Sequence, residues 1–390
     1  MSMRGEAGWH AVNQKAYGKD RWPGLYKALK ATVSHVALVN PFLSPDGKAR
    51  TCEEHNLREH PSIPLVFEST SDQHAAEQSV LAGALDDNDE EGLDDAKADA
   101  KGACSSAGDG ASTYLQEILE SVMLPLYFLD GASVIAALAL GVEPGMSVLD
   151  LCAAPGGKSV VLASMLFGAS AAQPPPSPVA THGVESGAPP PQRGSFLVCN
   201  ESSRTRVHRL QRVLRSFLPA EYLVPGGRVF VTNVDATANA GKAPVAIARF
   251  GFFDRVLVDA PCSSDRHLAR QAKGAPHGLA HWASGVVKSN AERQYDILLC
   301  AATLVKKGGM ILYCTCALAE QENDGVVNKF LKKVGKAFQV EPICSSGEED
   351  HCEGVERLMA SADKTAVGAL FLPDRSSFGP MYMARLRKVG

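Results

Sequence analysis

Val148-Leu-Asp-Leu-Cys-Ala-Ala-Pro-Gly-Gly-Lys-Ser159 is the stretch on which the fold turns. An apolar, strand-like run ends in a turn of small residues, and a helix-like run follows. Small residues let a backbone approach a ligand closely, and a helix N-terminus offers free N–H groups to an anion such as the carboxylate of an amino-acid moiety. Two nucleotide-binding patterns fail on this text. A phosphate-binding loop needs glycine where Cys152 stands, and Cys152-Ala-Ala-Pro-Gly-Gly157 does not supply the Gly-x-Gly-x-x-Gly of a dinucleotide fingerprint.

Outward from this turn, short apolar runs alternate with helical patterns. Strands are predicted at Ser147–Leu151, Phe196–Cys199, Arg228–Thr232, Arg255–Asp259 and Met310–Cys314, with Phe371 and Tyr382–Leu386 near the end. A helix is predicted over Ser203–Phe217, where Val207, Leu210, Val213, Leu214 and Phe217 recur at helical spacing. Another is predicted over Asn290–Val305, with Lys306-Lys-Gly-Gly as its basic last turn. Such alternation specifies an α/β fold: an open, mostly parallel sheet with helices on both faces and the ligand outside the carboxyl ends of the strands.

The residues expected at that edge are chemically telling. Glu201 follows the second strand, where an acid accepts hydrogen bonds from ribose hydroxyls. Arg206, a turn and a half along the next helix, can steady that carboxylate. Asp235 follows the third strand and suits an exocyclic amine. The fourth strand runs into Asp259-Ala-Pro-Cys262, and the fifth into Cys314-Thr-Cys316. Two thiols at the ends of neighbouring strands are hard to explain as core filler. Zinc is a poor alternative, because Cys314 and Cys316 lack the usual Cys-x2–4-Cys spacing and no second pair with that spacing exists.

Composition sets the rest. The 390 residues carry a formal charge of −4 and ten cysteines, with no disulfide framework and no charged-then-apolar leader, so a reducing compartment is expected. Residues 85–101 hold eight acids and two lysines, and the remainder of the chain is therefore +2, mild enough to permit RNA binding. The most apolar stretch, Val122–Val142, is interrupted by Pro125, Asp130 and Gly131 and is read as buried helices, so no membrane partner is expected. The expected organisation is an N-terminal extension at 1–66, an acidic low-complexity insert at 67–112, and one large domain at 113–390 with a disordered Pro-rich loop at 171–193.

Leu149-Asp-Leu-Cys-Ala-Ala-Pro-Gly-Gly-Lys-Ser159, Asp259-Ala-Pro-Cys-Ser263 and Thr315-Cys-Ala-Leu318 together resemble the signatures of the Fmu/Sun-domain RNA cytosine-5 methyltransferases. Tyr17-Gly-Lys-Asp-Arg-Trp-Pro23, Ala37-Leu-Val-Asn40, Phe128-Leu-Asp-Gly-Ala-Ser-Val134, Asp265-Arg-His267 and Phe378-Gly-Pro-Met-Tyr382 look like the mitochondrial ribosomal-RNA and tRNA branch. The resemblance implies a Rossmann-like class I methyltransferase with a seven-stranded sheet, and S-adenosyl-L-methionine as cofactor. It implies that Cys152, Ala153, Ala154, Pro155, Gly156, Gly157, Lys158, Glu201, Arg206, Asp235 and Asp259 bind that cofactor, and that Cys316 is the nucleophile. It implies RNA as partner, ribosomal RNA before tRNA (favoured by Asp265-Arg-His and the closing Gly379-Pro-Met-Tyr), a mitochondrial location with the cytoplasm as alternative, and room for a protein partner in ribosome assembly. Glu201 departs from the usual Asp, and Cys314 from the commoner Ser.

Chemistry explains why such residues are needed. Cytosine C5 is a poor nucleophile until a thiolate adds at C6 and makes it enamine-like. An acid bonded to N3, the role open to Asp259, stabilises charge on the ring, and Cys262 is placed to help remove the C5 proton. Lys158 can depress nearby thiols or hold the base. The target base must be unpaired or flipped. A DNA methyltransferase would use the Pro-Cys thiol instead, and a non-catalytic RNA-binding assembly factor would not need both thiols.

Overall fold

The computed structural model describes residues 3–69, 123–168, 194–238, 241–271, 278–343 and 358–390. The acidic stretch 85–101 and the loop 171–193 lie outside the described residues.

The chain opens with helices α1 (Gly5–Tyr17), α2 (Trp22–Lys30) and α3 (Pro45–Glu54), the last capped by the Ser44 side chain. Strands β1 (His35–Val39), β2 (Leu57–Glu59), β3 (Val66–Ser69) and β4 (Leu126–Asp130) form a small antiparallel sheet in the order β2-β3-β1-β4. Phe67–Ser69, placed in the insert by composition, are therefore strand. Leu126–Asp130, read within a run of buried helices, is the edge strand that pairs with β1. Its residues alternate in burial, as a half-covered strand requires, and Asp130 then caps α4 (Gly131–Ala139) through Ala132 N.

The large sheet takes β5 (Ser147–Asp150), β6 (Phe196–Asn200), β7 (Val229–Thr232), β8 (Phe253–Asp259), β9 (Val305–Thr315), β10 (Phe338–Glu341), β11 (Asp363–Lys364), β12 (Ala369–Phe371) and β13 (Met381–Lys388). Its order is β11-β12-β13-β9-β8-β5-β6-β7, with β10 on the free half of β13. β5 to β9 are parallel, and β13 inserts antiparallel beside β9. Among the described residues this sheet has nine strands rather than seven. β10 and β11 are four and two residues long, too short to show a period in the sequence.

Helices α5 (Gly157–Phe167), α6 (Arg204–Phe217), α7 (Asp265–Arg270), α8 (Ser284–Leu304) and α9 (Asp324–Val334) complete the layers. One apolar cluster joins α4, α5, α6 and the small sheet to one face of the large sheet, and a second joins α1, α2, α8 and α9 to the other. The N-terminal segment thus grips both faces. Successive strand residues serve alternate clusters, as Leu312 and Tyr313 do, which is why parallel strands read as unbroken apolar runs.

Lys306-Lys-Gly-Gly309 is not the last turn of a helix. α8 ends at Leu304, and the four residues bulge from β9, whose pairing with β8 jumps from Val305 opposite Phe253 to Met310 opposite Arg255. Lys306 bonds Asp254 at 2.8 Å, and the Asp254 carbonyl lies 2.9 Å from where a Cβ on Gly309 would sit, so the bulge rather than the helix needs that glycine.

Candidate active site

Five parallel strands deliver their carboxyl ends to one edge, and the residues singled out in the sequence divide there into two groups. The first surrounds the turn after β5. Gly156 adopts φ +124°, and a Cβ on it would fall 2.9 Å from Val213 on α6, so only glycine lets α5 begin so close to its neighbour. Ala153 N donates to the Asn200 carbonyl at 2.8 Å, and Arg206 donates to the Ala154 carbonyl at 2.7 Å. Glu201 is buried at the end of β6, accepts from Ser203 N at 2.9 Å and lies 3.6 Å from Arg206. Arg206 thereby ties the turn to the acid. Asp235 accepts from Thr237 N at 2.8 Å and from its hydroxyl at 2.7 Å, which holds its carboxyl below the usual range.

Beside this group lies an open cleft of about 280 Å³, lined by Leu151, Cys152, Glu201, Asp235, Pro261 and Ile297, among others. Apolar walls interrupted by two acids suit a nucleoside. A residue passed over in the sequence completes the picture. Asp150 is buried, with one oxygen held by Ser159 at 2.7 Å and Oδ1 without a hydrogen-bond partner in the structure. Burial pushes its pKa up to about 7. An orphaned buried carboxylate oxygen beside an open helix N-terminus fits the ammonium and carboxylate ends of an amino-acid moiety. Arg293, which also lines the cavity and acts electrostatically on Asp235, likewise gave no signal in the sequence, since it is one arginine within a long helix.

The second group lies at the ends of β8 and β9. Cys262 and Cys316 Sγ are 3.0 Å apart, both free thiols. Their surroundings make them unequal. The hydrogen bond from Cys262 pulls Cys316 below the ordinary thiol range, and donating that bond pushes Cys262 well above it. Ser264 Oγ lies 3.8 Å from Cys316 and assists. Asp259 receives Lys158 Nζ at 2.8 Å, and Lys158 also donates to Ser133 at 3.2 Å. Lys158 therefore leaves the turn it belongs to in sequence and serves the reaction group. Cys314 Sγ is buried 3.6 Å from Asp259 Oδ1, with its thiol pushed well up by burial.

Asp265 and Arg266 are buried and bonded to the protein's own groups. Asp265 accepts from Trp9 Nε1 at 2.7 Å and from Leu318 N at 2.8 Å. Arg266 lies 3.7 Å from Asp130 and donates to the Gly379 carbonyl. They join the two ends of the chain to the site. Among the described residues no His, Cys, Asp and Glu group could hold a metal, and no helix is long and apolar enough to cross a membrane.

This fold and edge define a class I S-adenosylmethionine-dependent methyltransferase. Residues 193–387 match the family described as 16S rRNA methyltransferase RsmB/F, and the chain belongs to it. It is 26% identical over 384 residues to the mouse 5-cytosine rRNA methyltransferase NSUN4, covering 95% of this chain and 85% of the relative. It is 29% identical over 267 residues to the mouse mitochondrial tRNA (cytosine(34)-C(5))-methyltransferase, covering 67% of this chain but only 63% of that relative. Among solved structures, NSun6 from Pyrococcus horikoshii superposes with a TM-score of 0.58 over 98% of this chain and 97% of its own, at 17% identity, a likeness of fold. The chain is thus an RNA cytosine-5 methyltransferase by family, and S-adenosylmethionine is the cofactor the family and fold entail.

Proposed function

We propose that this protein forms 5-methylcytosine in small-subunit ribosomal RNA, with Cys316 as nucleophile and Cys262 as the group that assists release. The observation that carries this reading is the thiol pair, 3.0 Å apart, beside the Asp259–Lys158 ion pair and next to the cleft. When bound, the cofactor supplies an electrophilic methyl group. Asp150, the 152–157 turn, Glu201 and Asp235 would hold it, with Arg206 steadying Glu201 and the turn.

The residues' own tasks follow from their placement. Cys316 adds to cytosine C6 as a thiolate, stabilised until then by the Cys262 S–H. Asp259 is the carboxyl available to N3, and Lys158 fixes its orientation. Once Cys316 is bonded to C6 it carries no charge, and the largest cause holding Cys262 protonated is gone. Cys262, once its own proton has passed to solvent water, is a thiolate and can then take the C5 proton. The electrons of the C5–H bond restore the C5–C6 double bond, and Cys316 leaves as thiolate.

Ribosomal RNA is the favoured substrate because the relative matched over most of both chains is named as an rRNA enzyme, while the tRNA enzyme is matched over a smaller share. The mitochondrion is the favoured compartment because that tRNA relative is named as mitochondrial. Bisulfite sequencing of total RNA with and without this protein tests the reading: one lost ribosomal 5-methylcytosine supports it, and a change confined to tRNA overturns the substrate.

A further inference from the structure

The loops bearing the two thiols are tied to each other by buried carboxylates. Glu322, six residues after Cys316, reaches back to the Cys262 loop: it accepts from Ser263 N at 3.0 Å and from the Ser263 hydroxyl, and from Gln294 Nε2 at 2.8 Å. Gln294 Nε2 in turn donates to the Pro261 carbonyl at 2.9 Å, so the peptides on both sides of Cys262 are held. In the opposite direction Asp265, three residues after Cys262, accepts from Leu318 N at 2.8 Å, two residues after Cys316. Neither carboxylate is exposed to solvent, and neither touches the cavity of about 280 Å³.

We propose that Glu322 and Asp265 form a reciprocal clasp, Glu322 positioning Cys262 and Asp265 positioning Cys316, so that each carboxylate governs one step of the covalent cycle. This rests on the assignment of the two thiols given above. Burying two carboxylates is costly, and burial pushes Glu322 up to about 7 and Asp265 upward as well. Simple packing does not call for that cost. Fixing two sulfurs within 3.0 Å does, since a loop free by 1 Å can lose ~100-fold in rate. The two arms also differ in their second partner. Glu322 is anchored by α8 through Gln294, whereas Asp265 is anchored by α1 through Trp9. Each thiol is therefore referred to a different helix, and the steps are separable.

Single-turnover assays on the full chain with RNA and labelled cofactor distinguish adduct formation, read as a covalent protein–RNA band, from adduct resolution, read as free methylated RNA. Glu322→Ala is expected to form the adduct within about threefold of the wild-type rate and to resolve it ~10- to 100-fold more slowly. Glu322→Gln, which keeps an acceptor for Ser263 N, recovers part of the loss, and Ser263→Ala, which removes only the hydroxyl contact, shows a smaller effect on the same step. Asp265→Asn is expected to slow formation and leave resolution unchanged, and Trp9→Phe, which removes the anchor of Asp265 on α1, slows the same step by a smaller factor. Equal slowing of both steps in the Glu322 and Asp265 variants, in proportion to lost stability, would overturn the clasp. Failure of Cys262→Ala itself to accumulate adduct would instead sink the thiol assignment on which the clasp rests.

Discussion

The cofactor side of the sheet edge and its reaction side are built on opposite principles. At the ends of β5, β6 and β7 the chain relies on backbone: a glycine turn, an open helix N-terminus, and acids held by local turns such as Glu201 on Ser203 N and Asp235 on Thr237. At the ends of β8 and β9 it relies on side chains drawn from distant positions, with Cys262 and Cys316 54 residues apart and Lys158 meeting Asp259. On the proposed reading the first region would bind by shape that any bound copy of one cofactor can reuse. The second must hold reacting atoms in register while their charges change. Local construction suffices for recognition, whereas reactivity needs a long-range frame.

The sharpest separation of the two regions is Cys316→Ala. Turnover should fall by about a thousandfold or more, because no other group at the edge replaces the covalent step. Cofactor affinity, measured by calorimetry, should stay within about twofold. A comparable loss of cofactor binding would mean that the regions are not independent. The converse break is Glu201→Ala, which removes a buried acid from the cavity wall and leaves Arg206 with only the Ala154 carbonyl. Cofactor dissociation should rise ~10- to 100-fold, the scale of lost charge-assisted hydrogen bonds. Iodoacetamide labelling of Cys316 should be unaffected, and a changed labelling rate would show that the acid acts across the edge.

A smaller effect follows from Asp150, which sits between the regions. Its carboxyl is raised from 3.8 to about 7 in the fold. Between those values the folded state binds more protons than the unfolded chain, so the stability contributed by Asp150 is fully present below pH 3.8 and lost as pH rises to about 7. Asp150→Asn in the cofactor-free protein should therefore gain thermal stability relative to wild type by a few degrees more at pH 8 than at pH 5. A difference independent of pH would show that Asp150 is ionised in the fold and already paired.

How much of this was readable in the sequence also divides along the same line. The turn at 148–159, the strand ends carrying Glu201, Asp259 and Cys262, and the helix Ser203–Phe217 announce themselves because each is local and periodic. Glu322 and Gln294 do not, since a carboxylate in Glu320-Gln-Glu322 reads as an ordinary surface acid until the fold buries it against Ser263. Asp265-Arg-His267 is instructive in the other direction. As a motif it points toward a substrate, yet Asp265 and Arg266 hold Trp9, Leu318 and Gly379. Lys306-Lys-Gly-Gly309 imitates a helix end because basic residues and glycine suit both that and a bulge, and only the pairing of Phe253 and Arg255 decides.

The smallest expected effect concerns Cys314, which stands nearest to both regions. Its thiol is buried on the face shared with α4 and α5 and meets Asp259 Oδ1 at 3.6 Å, the oxygen that Lys158 leaves free. A thiol is a weak donor at that length, so Asp259 remains open to a stronger donor such as an N–H of the base. Cys314→Ser would place a better donor on the same oxygen, with two consequences of opposite sign. Asp259 would be held more rigidly, while its Oδ1 would be less available to the base. Because these effects offset, turnover should change by no more than about threefold, with the larger part in the chemical step rather than in cofactor affinity. Loss of activity on the scale of Cys316→Ala would make Cys314 a reacting thiol and would redraw the boundary of the reaction side. An effect confined to cofactor affinity would place it on the other side of the edge.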